Sequence, residues 1–296
     1  MPPSSDIETF QKSLASSTKV IILAGAGLSA ASGIATYRGE GGLWLTNNPL
    51  ELSTPEAFEK DPSRVWRFYH PRRDRCLQAE PNAAHHAIAA LALPTTLARV
   101  APSLKPDSAP PLLITQNFDS LSLRALEALP PDVREAAAER VLEMHGSAFV
   151  TRCTSCQATR RSYETPLSPA LADAAALEDD CVIPVSELPR CGGPQWAGSN
   201  RYGRCGGLLR PDVVWFGEIP KHMGEIARQL NWCDLLIVVG TSSLVQPAAG
   251  FAKTVKTRGG KVAVFNLGRS SGDEDADFLF LGPCEETLPR ALGIES

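Results

Sequence analysis

Cys153 and Cys156, arranged Cys-x-x-Cys, offer two thiolates at a spacing that suits one tetrahedral Zn²⁺. They open a stretch, 151–207, that holds five of the eight cysteines, so Cys181, Cys191 and Cys205 compete for the remaining ligand positions. Four thiolates would close the coordination shell and make the metal structural. The alternatives are unrelated buried thiols or a redox pair, but Cys153 lacks the strand–helix context of a thioredoxin-like motif. His145 stands between an apolar turn and a glycine. A lone histidine can be structural, yet an imidazole titrates near neutral pH and can take a proton from a hydroxyl. Tyr69-x-x-Arg72 would set a phenol and a guanidinium on one helix face, where together they could bind a carboxylate. Pro71 lies between them and restricts its neighbours unless it starts a helix.

Gly25-x-Gly27-x-x-Ala30 follows the apolar run 20–24 and fits the G-x-G-x-x-G/A dinucleotide fingerprint. Small residues there let the backbone approach a pyrophosphate at a helix N-terminus. A tight strand–helix turn would use the same residues. No acid stands at a strand end about 20 residues further on, which argues against an ordinary NAD dehydrogenase.

Positioning these groups requires a scaffold. Short β-branched runs at Val20–Ala24, Leu112–Thr115, Leu235–Val239 and 262–265 read as buried parallel strands, with 213–216 a fifth candidate. Helical stretches at 83–93, 121–128 and 226–231 alternate with them. The expected fold is α/β, a doubly wound, mainly parallel Rossmann-like sheet with a smaller zinc-binding and helical lobe. The expected division assigns 1–40, 108–150 and 208–296 to the nucleotide domain, 41–107 to a helical insertion and 151–207 to the cysteine module.

With 296 residues, 43% hydrophobic, the chain can bury a large core. A net charge of −4 provides no basic field for nucleic acid or a membrane surface. The pairs Arg72-Arg73 and Arg160-Arg161 read as solvated faces. The first 19 residues lack the marks of a secretory or transit peptide, and no apolar run reaches the ~18 residues that span a bilayer. A soluble intracellular protein is the expectation, with its compartment open.

Longer strings carry a resemblance. Gly25-Ala26-Gly27-Leu28-Ser29…Ser32-Gly33-Ile34…Tyr37-Arg38-Gly39 resembles the first signature of the sirtuins, NAD-dependent protein-lysine deacylases. Gln116-Asn117-Phe118-Asp119 resembles the second, Glu143-Met144-His145-Gly146-Ser147 the third and Gly240-Thr241-Ser242-Ser243 the fourth. They occur in the family's order. Ala35 and Tyr37 depart from the usual Pro and Phe, and the common histidine after Asp119 is missing.

The resemblance implies that the acyl-lysine oxygen attacks C1′ of the nicotinamide ribose, with nicotinamide, O-acyl-ADP-ribose and free lysine as products. His145 would be the base, aided by Asn117. Gly25, Ala26, Gly27, Ser29, Gly240, Thr241 and Ser242 would hold the cofactor, with Asn266 and Cys284 at its adenosine end. Gln116, Asn117 and Asp119 would line the ribose and nicotinamide pocket beneath Arg38. The strings 63–70, 41–44, 80–85 and 208–218 are similar to the class III sirtuins, which remove succinyl, malonyl and glutaryl groups. Tyr69 and Arg72 would then bind the acidic acyl terminus, while Val213, Phe216, Gly217 and Glu218 would pair with the peptide as a strand.

The same resemblance selects Cys191 and Cys205 as the second zinc pair and makes 192–204 an insertion between them. Acylated-lysine proteins are the implied partners, and mitochondrion, nucleus and cytoplasm stay open. Plain deacetylation and a catalytically weak NAD- or ADP-ribose-binding adaptor are the competing functions.

Overall fold

A computed structural model describes residues 2–36, 48–104, 109–172, 181–192 and 205–294. Arg38, the string 41–44 and most of the insertion 192–204 lie outside them. The strands are β1 (Val20–Ala24), β2 (Leu112–Thr115), β3 (Val141–Glu143), β4 (Gly146–Cys153), β5 (Thr159–Arg161), β6 (Leu209–Val213), β7 (Leu235–Val239), β8 (Lys261–Asn266) and β9 (Phe278–Leu281). Six form a parallel sheet in the order β3-β2-β1-β7-β8-β9. This is the doubly wound arrangement, in which strand order reverses beside β1 and ligands bind outside the carboxyl ends at that point.

The apolar runs are continuous because both faces of the sheet are covered. Val20, Ile22 and Ala24 of β1 pack in one core with Phe10, Ile88 and Leu288. Ile21 and Leu23 pack in the other with Ile226, Leu230, Phe251 and Val255. The expected helix 83–93 ends at Ala90. Leu93 is extended before Pro94, which opens the next helix, as the clash of a proline ring with the residue before it requires. The segment 226–231 belongs to the helix Met223–Leu230, and 121–128 is an α-helix followed by a 3₁₀ turn.

Three expectations need correction. The run 213–216 adds no strand to the parallel sheet: β6 stops at Val213 and pairs antiparallel with β4 in a second sheet, β5-β4-β6. The main sheet is completed by β3 and β9, which sequence reading did not single out. Pro71 neither starts nor breaks a helix; it lies inside Pro62–Gln78, whose start is capped when the Asp61 carboxylate accepts from Arg64 N–H at 2.8 Å.

That helix packs on the antiparallel sheet and its flanks through groups that sequence alone does not pair. Arg73 is only 2% exposed, and its guanidinium donates to the carbonyls of Ala148 (2.7 Å), Ser162 (2.6 Å) and Glu164 (2.7 Å). Arg161 pairs with Glu143 at 2.5 Å, tying β5 to the end of β3. Arg73 is no solvated cation, because its partners lie far away in sequence, whereas Arg161 keeps an exposed side chain while it makes its pair. Trp66 adds a third tie, from its indole N–H to Leu209 O at 2.9 Å.

Candidate active site

Parallel strands open their carboxyl ends on one edge. Gly25 follows β1, Gln116 follows β2, His145 lies two residues past β3, Gly240 follows β7, Asn266 ends β8 and Cys284 follows β9. The glycines first serve backbone packing. Gly25 N–H donates to Val239 O at 2.8 Å and Gly27 N–H to Gly240 O at 2.7 Å. A Cβ on Gly25 would lie 2.6 Å from Gly240 O, and one on Gly240 (φ +62°) would overlap Leu28 N. The turn after β1 enters a helix of the 3₁₀ type, Ala26–Ser32.

Side chains from neighbouring strands brace this turn. Asn117 Nδ2 donates to Gly25 O (3.0 Å) and Ser29 Oγ (3.1 Å), and Gln116 Nε2 donates to Thr241 Oγ1 at 3.2 Å. Asn266 Nδ2 donates to Thr241 O at 3.0 Å, and the Cys284 thiol faces Gly27 O at 3.4 Å. Thr241 is buried, whereas Ser242 beside it is exposed.

Asp119 turns inward. It accepts from Ser29 Oγ and from Leu121 N–H (2.9 Å), and burial holds its carboxyl above the usual carboxylate range against those two bonds. His85, which sequence reading noticed only as part of a string, belongs to the same network. Its Nδ1 accepts from Asn82 N–H at 3.3 Å, leaving Nε2–H to face Ser29 Oγ at 3.4 Å. Burial lowers its pKa to about 3, so the ring is neutral. The spacing of 56 residues between Ser29 and His85 hides this contact from any local pattern.

His145 sits between β3 and β4, half-buried, with Nδ1 3.0 Å from the carbonyl oxygen of Gln116. A carbonyl can only accept, so Nδ1 carries the hydrogen and Nε2 presents its lone pair. Burial pushes the pKa below 6.5 and the Gln116 bond opposes it; the net effect is a neutral ring at pH 7. This is the protonation state of a general base. The backbone on either side is fixed, by Met144 N–H to Thr115 O (3.0 Å) and Val214 N–H to His145 O (2.8 Å).

Gly146 makes that connection possible. Its φ is +78°, and a Cβ there would overlap the carbonyl oxygen of Asp212. We expect Gly146→Ala to cost about 2–5 kcal/mol, from the left-handed backbone plus overpacking. Gly33 shares the positive φ (+80°) but has open space around its Cβ position, so Gly33→Ala should cost only about 1–2 kcal/mol. Denaturant midpoints of the two variants check this; equal shifts would mean the Asp212 contact is not limiting.

The sulfurs of Cys153, Cys156, Cys191 and Cys205 lie within 4.8 Å of one another. Cys153–Cys205 are 3.6 Å apart and Cys156–Cys191 3.7 Å, near the ~3.8 Å edge of a tetrahedron with Zn–S of about 2.3 Å. The N–H groups of Ser155 (3.4 Å) and Cys156 (3.5 Å) point at the Cys153 sulfur, as they would at a thiolate. A Cβ on Gly207 would lie 2.7 Å from that sulfur, so the cradle admits only glycine. These residues fit one structural Zn²⁺. Cys181, the competing ligand, is outside the cluster and packs against the core of the helical lobe.

Fold, crevice, imidazole and thiol cluster are those of one family, and the Sir2 family profile matches residues 25–247. The chain belongs to the Sir2 family. The mitochondrial NAD-dependent protein deacylase sirtuin-5 of Xenopus tropicalis is 43% identical over 295 residues, covering 98% of this chain and 86% of that protein. An NAD-dependent protein deacylase of Thermococcus kodakarensis is 40% identical, over 95% of this chain and 92% of its own. Among solved structures, a Sir2 homologue in complex with NAD superposes with a TM-score of 0.73 at 33% identity, covering 99% of this chain and 94% of that one. Among the described residues of this Sir2 chain no helix is long and apolar enough to cross a membrane.

Beside the crevice this Sir2 chain gathers an aromatic cluster. Tyr69 (5% exposed) packs against Phe68, Phe118 and Trp215, and Phe58 packs against Trp215. Arg72 comes from the next turn of the same helix; its guanidinium lies 3.4 Å over the Phe68 ring and donates to Phe68 O at 2.6 Å. Of the residues expected to receive a peptide, Phe216 is 38% exposed and Gly217 (φ +89°) has open space around it. Val213 is buried, with its carbonyl accepting from Arg210 at 2.9 Å. Glu218 accepts from both Arg210 nitrogens (2.6 and 2.9 Å) and from Trp215 N–H (2.8 Å). Burial would raise the Glu218 carboxyl, but these bonds outweigh it and hold it below its usual value. Val213 and Glu218 therefore flank and hold the turn that presents Phe216 and Gly217.

Proposed function

We propose that this chain is an NAD-dependent protein-lysine deacylase whose pocket favours acyl groups ending in a carboxylate. The single observation that carries the reading is His145: a neutral imidazole, fixed through Nδ1, at the carboxyl edge of a doubly wound sheet beside a glycine turn. The NAD-dependent deacylases to which it is similar over nearly its whole length support the same conclusion.

NAD, when bound, supplies an electrophilic ribose carbon for the acyl oxygen and is consumed. Gly25, Ala26, Gly27 and Ser29 would take the pyrophosphate side, with Gly240, Thr241, Ser242, Asn266 and Cys284 towards the adenosine. Gln116 and Asn117 would face the nicotinamide ribose. Asp119 acts through Ser29, holding the turn in place. His145 Nε2 would accept the proton of a ribose hydroxyl. The peptide backbone pairs alongside Phe216 and Gly217, which explains recognition with little reading of flanking side chains. Cys153, Cys156, Cys191 and Cys205 would hold one structural Zn²⁺.

The acidic-acyl preference rests on Tyr69 and Arg72, one helical turn apart beside the aromatic cluster. A guanidinium meets a carboxylate with charge-assisted bonds and gains nothing from an acetyl methyl. Arg72→Met should lower kcat/KM on succinyl- and glutaryl-lysine peptides on the order of 10- to 100-fold, and on acetyl-lysine far less. Nicotinamide release across the three substrates checks this. Equal losses on all three would remove the acidic pocket and leave a plain deacetylase.

A further inference from the structure

The turn that presents Phe216 and Gly217 is tied at both ends to the residues around His145. At its start Val214 N–H donates to His145 O at 2.8 Å, and at its return Lys221 N–H donates to Met144 O, also at 2.8 Å. Two consecutive carbonyls, one of them the base's own, thus close the loop 214–221. Beyond Glu218 the chain runs through Ile219, which is 84% exposed, and Pro220, which carries no N–H. Lys221 is where it comes back to the edge of the main sheet.

The Lys221 side chain adds a second tie. Its ammonium donates to Asp212 Oδ2 of β6, and that carboxylate is only 4% exposed. Asp212 stands opposite Ser147 in the register of β4 and β6, one step from the pair Gly146 and Val213. Its other oxygen meets Arg152 of β4 at 2.6 Å. One buried anion therefore carries two cations, one on a strand and one on the loop. Withdrawing the lysine charge leaves Asp212 paired, so the fold is not burdened with a lone buried charge. What disappears is a charge-assisted bond that holds the end of the loop beside Met144.

We propose that Lys221 is a positioning residue for His145: through Met144 and Asp212 it fastens the peptide-presenting turn to the turn that carries the base. This rests on the deacylase reading of the same crevice. The imidazole is fixed to Gln116 O on one side, and on the other its own backbone carbonyl accepts from the loop. A loosened loop end lets the base drift from the ribose hydroxyl, and catalysis responds strongly to displacements of about 1 Å. Nicotinamide departs before the base acts, so the two steps depend differently on Lys221.

The test uses the full chain with NAD and saturating succinyl- or acetyl-lysine peptide, and it has two readouts. Exchange of labelled nicotinamide into NAD reports the step before the base, and O-acyl-ADP-ribose formation reports the step that needs it. Lys221→Met should lower product formation about tenfold and exchange by no more than about twofold, with thermal midpoint and zinc content unchanged. Lys221→Arg, which keeps a cation for Asp212, should retain at least about half of the product rate. Arg152→Met takes the other cation from the same carboxylate without touching the loop, and should stay within about twofold of wild type in both readouts. An unchanged product rate in Lys221→Met, an equal fall in both readouts, no retention by arginine, or the same loss in Arg152→Met would overturn the assignment. A wild-type chain that forms no NAD-dependent product would instead sink the deacylase reading; an active wild type with an indifferent Lys221→Met strikes Lys221 alone.

Discussion

His145→Ala should reduce NAD-dependent deacylation by about 10²–10⁴-fold, the range contributed by a positioned general base, while fold and zinc content stay intact. The ring is anchored by a hydrogen bond to Gln116 O, and the strands on either side are held by backbone bonds that alanine keeps. The pH profile carries the same signature. Burial lowers the His145 pKa from 6.5, so the neutral base persists into mildly acidic solution. Wild-type kcat/KM should therefore be flat through pH 7 and fall only as pH drops below 6.5 through the depressed value. Nicotinamide release across pH, with circular dichroism and metal analysis on the variant, measures all three quantities. An acid limb centred above 6.5, or turnover kept by His145→Ala, would mean another group takes the proton.

The second large effect concerns the metal. Removing zinc, or replacing Cys191 by alanine, should unravel the cysteine segment and loosen the sheet β5-β4-β6. Cys191 is 2% exposed, and its backbone is bracketed by N–H to Gly207 O and by Gly206 N–H to its own carbonyl, both at 2.8 Å. The next residues form β6, whose Arg210 holds Glu218 and Val213. Burial and the neighbouring sulfurs push the Cys191 thiol up, a penalty that a divalent cation relieves. Losing such a site should cost several kcal/mol and lower the thermal midpoint by about 10 °C. Cys181→Ala should leave both zinc content and midpoint unchanged. Full zinc retention in Cys191→Ala, or loss in Cys181→Ala, would contradict the ligand set.

Much of this could be read before any coordinates. β1, β2, β7 and β8 announce themselves because strands covered on both faces must be apolar throughout. The Cys-x-x-Cys pair and the glycine turn are local patterns with a mechanism, and their spacing survives folding. What stayed hidden is what depends on distant partners. The run 213–216 is apolar because Val213 and Trp215 fill the core of the small lobe, not because it joins the parallel sheet. Arg73 looks like a surface cation until three carbonyls are brought to it. His85 and Ser53 contact Ser29 and Tyr69 across 56 and 16 residues, with no motif to join them. Glu218 matches a family string, yet its carboxylate is spent on Arg210 and the Trp215 N–H.

One measurement bears on the whole account most directly: mass-spectrometric product analysis after the full chain is incubated with NAD and a succinyl-lysine peptide. The expected result is free lysine, nicotinamide and O-succinyl-ADP-ribose in equal amounts, with none formed when NAD is omitted. Release of succinate without NAD consumption, or NAD bound but never cleaved, would contradict it.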